Sequence, residues 1–417
     1  MSARTRRGRL VGALAAAAFL VGGVVAMATH MVRGPLGAVP RHAGGGDGAA
    51  TDGPESGRIP VLFVGNAGDG TISLIRTDTL AVVRTLSVTP DGAFPHDFLQ
   101  ALAYPAILFK KGKSYVQGIA ISPDGRTVYA SRGYLGDVVA IDIATDALRW
   151  RLPLPGLRAD HLALAPDGRR LFVAATTANA IEIVDTSEGR VVGSFAAGTY
   201  PHVVRIAPND RTITVGSLGD MSARAGHEGE RRLTILDIDT YAPVRSVSFD
   251  AGVRPFAFSP DGAKVYVQLS FLHGFRVVDM ATGATEREVT LPVGDGAIGL
   301  AREDYPNQAA HHGIALSADA TTICEAATIS NYVTLLDRGT LEVIATIPGM
   351  GAPAEAETSL DGRYCFVTNR DPHTNALSVI SYTDRREVAR IPVGLRPQEM
   401  TEALVPATVL AGAENAQ

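Results

Sequence analysis

The sequence predicts an all-β fold, a seven-bladed β-propeller built from four-stranded antiparallel blades. Three observations predict it: a Pro-Asp-Gly turn that recurs along the chain, four short strands in every repeat, and an incomplete unit at each end. The turn reads SPDGR (122–126), APDGR (165–169), APNDR (207–211), SPDGA (259–263), SADAT (317–321) and SLDGR (359–363). Its common spacing is about 42 residues, lengthened twice by insertions, which is a propeller period.

Each turn follows an apolar strand such as GIAIS (118–122) or PFAFS (255–259), and precedes a second such as KVYVQ (264–268). A third ends on an Asp, as in IEIVD (181–185), and a fourth reads like VVGSF (191–195). Alternation with period two, and no helical period, marks these as strands. Single blades cannot bury both faces, so the copies must stack around an axis. The six turns define six blades. Residues 61–87 supply three strands of a seventh, and 396–402 are placed to add its missing innermost strand, closing the ring.

The flanks carry other signals. Arg4, Arg6, Arg7 and Arg9 precede an uncharged stretch, Leu10 to Ala28, ending in Ala26-Met27-Ala28, so 1–30 reads as a signal peptide or membrane anchor. Residues 31–57 are a Gly/Pro-rich linker, 58–406 the propeller and 407–417 a tail. Either reading of the leader places the propeller outside the cytoplasm, secreted, periplasmic or attached to the envelope. Membrane contact is expected only through an uncleaved leader. The net charge of −5 excludes a basic footprint for nucleic acid. The only two cysteines, Cys324 and Cys365, read as buried small hydrophobes rather than a bridge.

The residues Phe366-Val367-Thr368-Asn369, followed by LSVIS (377–381) and IPVG (391–394), resemble the YVTN-repeat (YncE-like) propeller family. The resemblance covers about 58–405 and implies a seven-bladed, usually extracytoplasmic propeller with varied roles. It implies no shared catalytic set.

Strand order puts the Pro-Asp-Gly and Asp-x-x-Thr turns on one face. The long insertions, 88–116, 217–231, 294–311 and 369–375, fall on the other. Segment 88–116, rich in Phe and Tyr, reads as a loop that caps the channel or folds over blades I and II. Counting back from each turn gives two rings. The first, at the start of the inner strands, holds Gln117, Asp160, His202, Arg254, His312, Ala354 and Arg396, with His161 beside it. The second, Ala120, Ala163, Arg205, Ala257, Ala315, Glu357 and Glu399, faces the channel by alternation, with Glu355 one step above Glu357. Two readings stand: Arg205 neutralises the carboxylates, or carboxylates and histidines bind a cation or small polar ligand. Candidate metal ligands are His202 and His312, assisted by His311 or His96, for copper, zinc or calcium. No GxSxG or P-loop is present, and the absence of CxxCH excludes covalently attached haem. The expected role is a binding or scaffolding protein engaging a small polar ligand, an envelope polymer or a protein through the loop-rich face and channel mouth. The alternative is an enzyme, a metal-dependent oxidoreductase or a hydrolase, lactonase or lyase, using channel His and Glu.

Overall fold

The computed structural model describes residues 57–411 except His96 and Ala225; the leader, nearly all of the linker and the end of the tail lie outside the described residues. Seven four-stranded antiparallel sheets form the blades. In blade I the strands run, from the axis outward, Pro397–Pro406, Arg58–Asn66, Thr71–Arg76 and Ala81–Ser87. The chain therefore closes on itself, with Val61 opposite Ala403 and Gly65 opposite Glu399. Closure leaves the first strand no open edge. The other inner strands are Gly118–Ile121, Ala159–Leu164, Pro201–Ile206, Val253–Phe258, Ile314–Leu316 and Pro353–Thr358, for blades II to VII.

Apolar side chains of adjacent blades interdigitate to make the core. Phe172, Ala174 and Ile181 of blade III pack against Val204, Ile213 and Val215 of blade IV, all buried. Each fully buried residue of this size contributes about 1.5–3 kcal/mol. The short turns repeat one chemistry. Asp124 Oδ1 accepts the Arg126 N–H at 3.0 Å while Gly125 takes φ 69°. Where the motif lapses, Asp210 and Ala320 occupy the same left-handed conformation, at φ 56° and 54°. The backbone shape is thus retained without glycine, at a local cost of about 1 kcal/mol for Ala320. The Asp-x-x-Thr turns are closed by side-chain caps, as where Asp142 accepts from the Ala144 and Thr145 N–H groups.

Two expectations change. Segment 88–116 contains helix α1, Phe98–Lys111, instead of a loop. Asp97 caps its start by accepting the Gln100 N–H at 3.0 Å, and Gly112 at φ 76° ends it. Gln100, Ala103 and Tyr104 are buried, and the Gln100 amide donates to Leu154 O and Gly156 O. The helix thus seats on blade II rather than over the axis. The second change is Cys324–Cys365, a disulfide that joins the second strands of blades VI and VII. The two offsets differ by one residue along their strands, and the stagger between neighbouring blades brings the sulfurs together. The tail also begins as structure: helix α2, Ala407–Ala411, buries Val409 against the core of blades I and II.

Candidate functional site

The axial site is created by a repeated irregularity in the inner strands. Pairing with the second strand skips between Ala159 and Leu162, Pro201 and Val203, Val253 and Phe256, and Pro353 and Ala356. A fifth skip leaves Gln398 between Pro397 and Glu399. A β-bulge suspends strict alternation and re-aims side chains. The polar residues lie in these bulges: Asp160 and His161, His202, Arg254, Glu355 and Gln398.

Together they make a buried cluster. Asp160 is fully buried, and its Oδ2 lies 3.0 Å from His202 Nδ1, 2.9 Å from Arg158 and 3.2 Å from the Thr176 hydroxyl. His161 Nδ1 is 2.7 Å from Glu399 Oε2. His312 Nδ1 is 3.0 Å from Glu355 Oε1, yet the two are not aligned for a hydrogen bond and neither has another partner. The rings of His161 and His202 are 4.5 Å apart, and those of His202 and His312 5.9 Å. The Nε2 atoms of His161 and His202 are buried without a hydrogen-bond partner among the described residues, the His161 Nε2 lying 3.9 Å from Asp160 Oδ1. Buried polar atoms are normally satisfied, so such orphans ask for an explanation. Two sets of donor atoms are close enough to share one ion: Asp160, His161 and His202, and His161, Glu355 and Glu399. His161 belongs to both.

Electrostatics suit a cation at His202 and oppose one at His161. Burial pulls His202 down to about 3 despite the opposing Asp160, so near pH 7 it is the neutral imidazole, the form able to ligate a metal. Burial likewise lowers His312. Burial also works against protonated His161, but the Glu399 carboxylate outweighs it and pushes the group up to about 9. A metal at His161 would have to displace that proton.

Below the cluster a cavity of about 580 Å³ follows the axis, from His161 and Glu355 to Ile121, Ile206 and Thr358 beside the short turns. All seven positions of the second ring line it. The first ring is different. Gln117, Asp160, His202, Arg254 and His312 are buried, sealing the loop-rich end where the sequence placed an open mouth. Arg396 stays half-buried there, its guanidinium donating to Lys113 O at 2.9 Å. For Asp160, His202 and Arg254 the physical reason is the bulge, which turns these side chains across the axis; Gln117 and His312 lie just before inner strands that pair without one. The channel is entered from the short-turn face.

Arg205 acts on the carboxylates at a distance: its charge works to lower Glu355, Glu357 and Glu399, without contact. It forms no ion pair among the described residues, and its buried Nε has no partner. His311 stands off the axis, where Nδ1 pairs with Glu325, whose carboxylate also accepts from Gln268 at 2.7 Å. The Glu325 contact holds the His311 ring there, while the neighbouring His312 ring lies 5.9 Å from that of His202. His96 lies outside the described residues. His273 is half-buried, 3.0 Å from the Tyr305 hydroxyl and facing the His311 ring. The roles of His161 and Glu355 as cluster members were the harder ones to read. Consecutive polar residues in a buried strand, Asp160-His161, are the available signal of a bulge.

Glu357, on the channel wall, gives a testable pH effect. Burial pushes its carboxyl up to about 8, against the Glu402 N–H that it accepts at 2.9 Å. The folded state therefore holds a proton that the unfolded state releases near pH 4.5, so stability falls as pH rises from about 4.5 to 8. Glu357→Gln should remove that loss. The variant is expected to match the parent near pH 4 and exceed it by about 1–2 kcal/mol at pH 8, less than full burial gives because the group faces channel water. Urea unfolding at the two pH values measures this. Equal stability at both would contradict it.

Fold and axial channel together define a seven-bladed β-propeller with a polar cluster at the closed end of its channel. No protein-family model matches the sequence. The chain is 26% identical over 336 residues to the seven-bladed beta-propeller protein Rv1057 of Mycobacterium tuberculosis, covering 74% of this chain and 76% of that protein. Among solved structures it is similar to Kuenenia stuttgartiensis hydrazine synthase, with TM-score 0.56 and 17% identity over 70% of this chain and 96% of that one. It is also similar to the dihydro-heme d1 dehydrogenase NirN in complex with DHE, with TM-score 0.51 and 17% identity over 84% and 76%. At this identity these two likenesses speak to the fold alone.

Proposed function

We propose that this is an extracytoplasmic propeller of the YVTN-repeat, YncE-like kind that binds one divalent metal at the axial cluster and a small polar ligand in the channel below it. The observation that carries this is the pair of buried Nε2 atoms of His161 and His202, without hydrogen-bond partners among the described residues and set among three carboxylates. Imidazole with carboxylate favours zinc or copper, and the open cavity beneath His161, Glu355 and Glu399 leaves a coordination position for the ligand. Export is supported by the basic-then-apolar leader and by the Cys324–Cys365 bridge, since disulfides persist in oxidising compartments.

A second reading, a metal-dependent enzyme, is favoured by one observation. Glu357 is protonated at neutral pH and stands in the same channel, where a general acid would be needed.

Elemental analysis of the purified full chain, loaded with zinc or copper and then dialysed, tests the metal. About one ion per chain is expected. His161→Ala, which removes the shared donor, should reduce affinity at least about 100-fold, beyond the effect of losing a supporting residue. No retained metal in the parent, or equal retention in the variant, rules out the centre.

A further inference from the structure

We propose that the loop-rich end of the axis carries a second binding site, an arginine collar that takes a small multivalent oxyanion, phosphate or dicarboxylate. It lies on the opposite side of the cluster from the channel and does not depend on the metal.

Four arginines come from blades spaced around the ring. Arg158 precedes the inner strand of blade III, Arg254 lies in that of blade V, and Arg396 precedes that of blade I. Arg370 follows Tyr364–Asn369, the second strand of blade VII. Three are fixed by neutral groups. Arg254 Nε donates to Ser270 Oγ at 3.0 Å and its Nη2 to Asn307 O. Arg396 holds Lys113 O at 2.9 Å, and Arg158 holds Gln117 Oε1 at 3.1 Å. Among the described residues only Arg158 has a carboxylate partner, Asp160 at 2.9 Å, and Arg370 has no side-chain bond.

Guanidinium keeps its charge, and a buried cation without a counter-charge is costly. Arg254 is 2% exposed. After burial itself, Arg158 and Arg370 lower Arg254 against the opposing pull of Asp160, and Arg396 lowers Arg370 against that of Glu355, so each of the four charges acts on a neighbour in the collar and the two carboxylates offset them only in part. The arrangement stores repulsion that a bound anion relieves. Forked guanidinium donors match the paired oxygens of carboxylate and phosphate. The overall charge of −5 makes this concentration of cation local, which fits a small ligand better than a polyanionic chain.

The test titrates the full chain, without added metal, with inorganic phosphate and separately with malonate at constant ionic strength, by calorimetry and thermal unfolding. Saturable one-to-one binding of at least one is expected, and the preferred anion assigns the class. Arg370→Gln breaks no bond, so it should raise the melting temperature in anion-free buffer while weakening binding about tenfold, the factor of one charge-assisted hydrogen bond. His161→Ala should leave the anion titration unchanged, which separates this site from the metal centre. No saturable binding of either anion, or undiminished binding in Arg370→Gln, overturns the proposal.

Discussion

A chain ending at residue 396 is expected to lose its cooperative unfolding transition altogether. The deleted segment is the inner strand of blade I, paired with Arg58–Asn66 along its whole length. Its Met400 and Val405, with Val409 of α2, are buried in two inter-blade cores. These three side chains alone represent about 4–9 kcal/mol, and their removal also exposes Leu62 and Val64, both fully buried in the intact ring. The total rivals the 5–15 kcal/mol that holds a typical fold together. Thermal denaturation followed by circular dichroism measures the outcome. A monomeric truncated chain that still melts sharply near the parent temperature would mean that closure is dispensable. Adding the missing segment in trans as a peptide should restore the transition if strand pairing is the cause.

The second large effect is expected at Arg132→Met. Arg132 is fully buried, donating to Asp137 at 2.7 and 2.8 Å, to Asp91 at 2.7 Å and to Val88 O at 3.0 Å. Arg151 shares both carboxylates, at 2.6 Å each. The network ties the start of the 88–116 insertion to blade II. Removing Arg132 leaves two largely buried carboxylates with one counter-ion, and breaking such a pair costs about 3–5 kcal/mol. Chemical denaturation should show a loss in that range, with a smaller further loss when Asp91→Asn is added, because the partner charge is then already gone. A loss below about 1 kcal/mol would show that Arg151 alone satisfies the site.

The ring was legible in the sequence because its cause is local and repeated. A turn needing Asp and a left-handed residue, flanked by alternating strands, recurs often enough to count blades even where Asp210 or Ala320 replaces glycine. The second ring was legible for the same reason, since alternation alone aims Arg205, Glu357 and Glu399 inward. The cluster above it was only half legible. Bulges at 160–161 and 354–355 turn His161 and Glu355 into the axis, and a bulge depends on the pairing of two strands, which one strand's pattern does not encode. His311 was misplaced for the converse reason: its neighbour His312 reaches the axis, while Glu325 captures its own ring to one side. The Cys324–Cys365 bridge depends on the stagger between blades, a quantity set by the closed ring as a whole.

The seam of the ring also fixes how the molecule can be moored. Arg58 pairs with Pro406, the Ala407 N–H reaches Gly57 O at 2.8 Å, and Arg58 touches Pro123 O in the short turn of blade II. Whatever precedes residue 57 therefore departs beside the opening of the axial cavity. A leader held in a bilayer would tether the molecule from that face through the linker 31–57, with the arginine-bearing end on the far side from the attachment point.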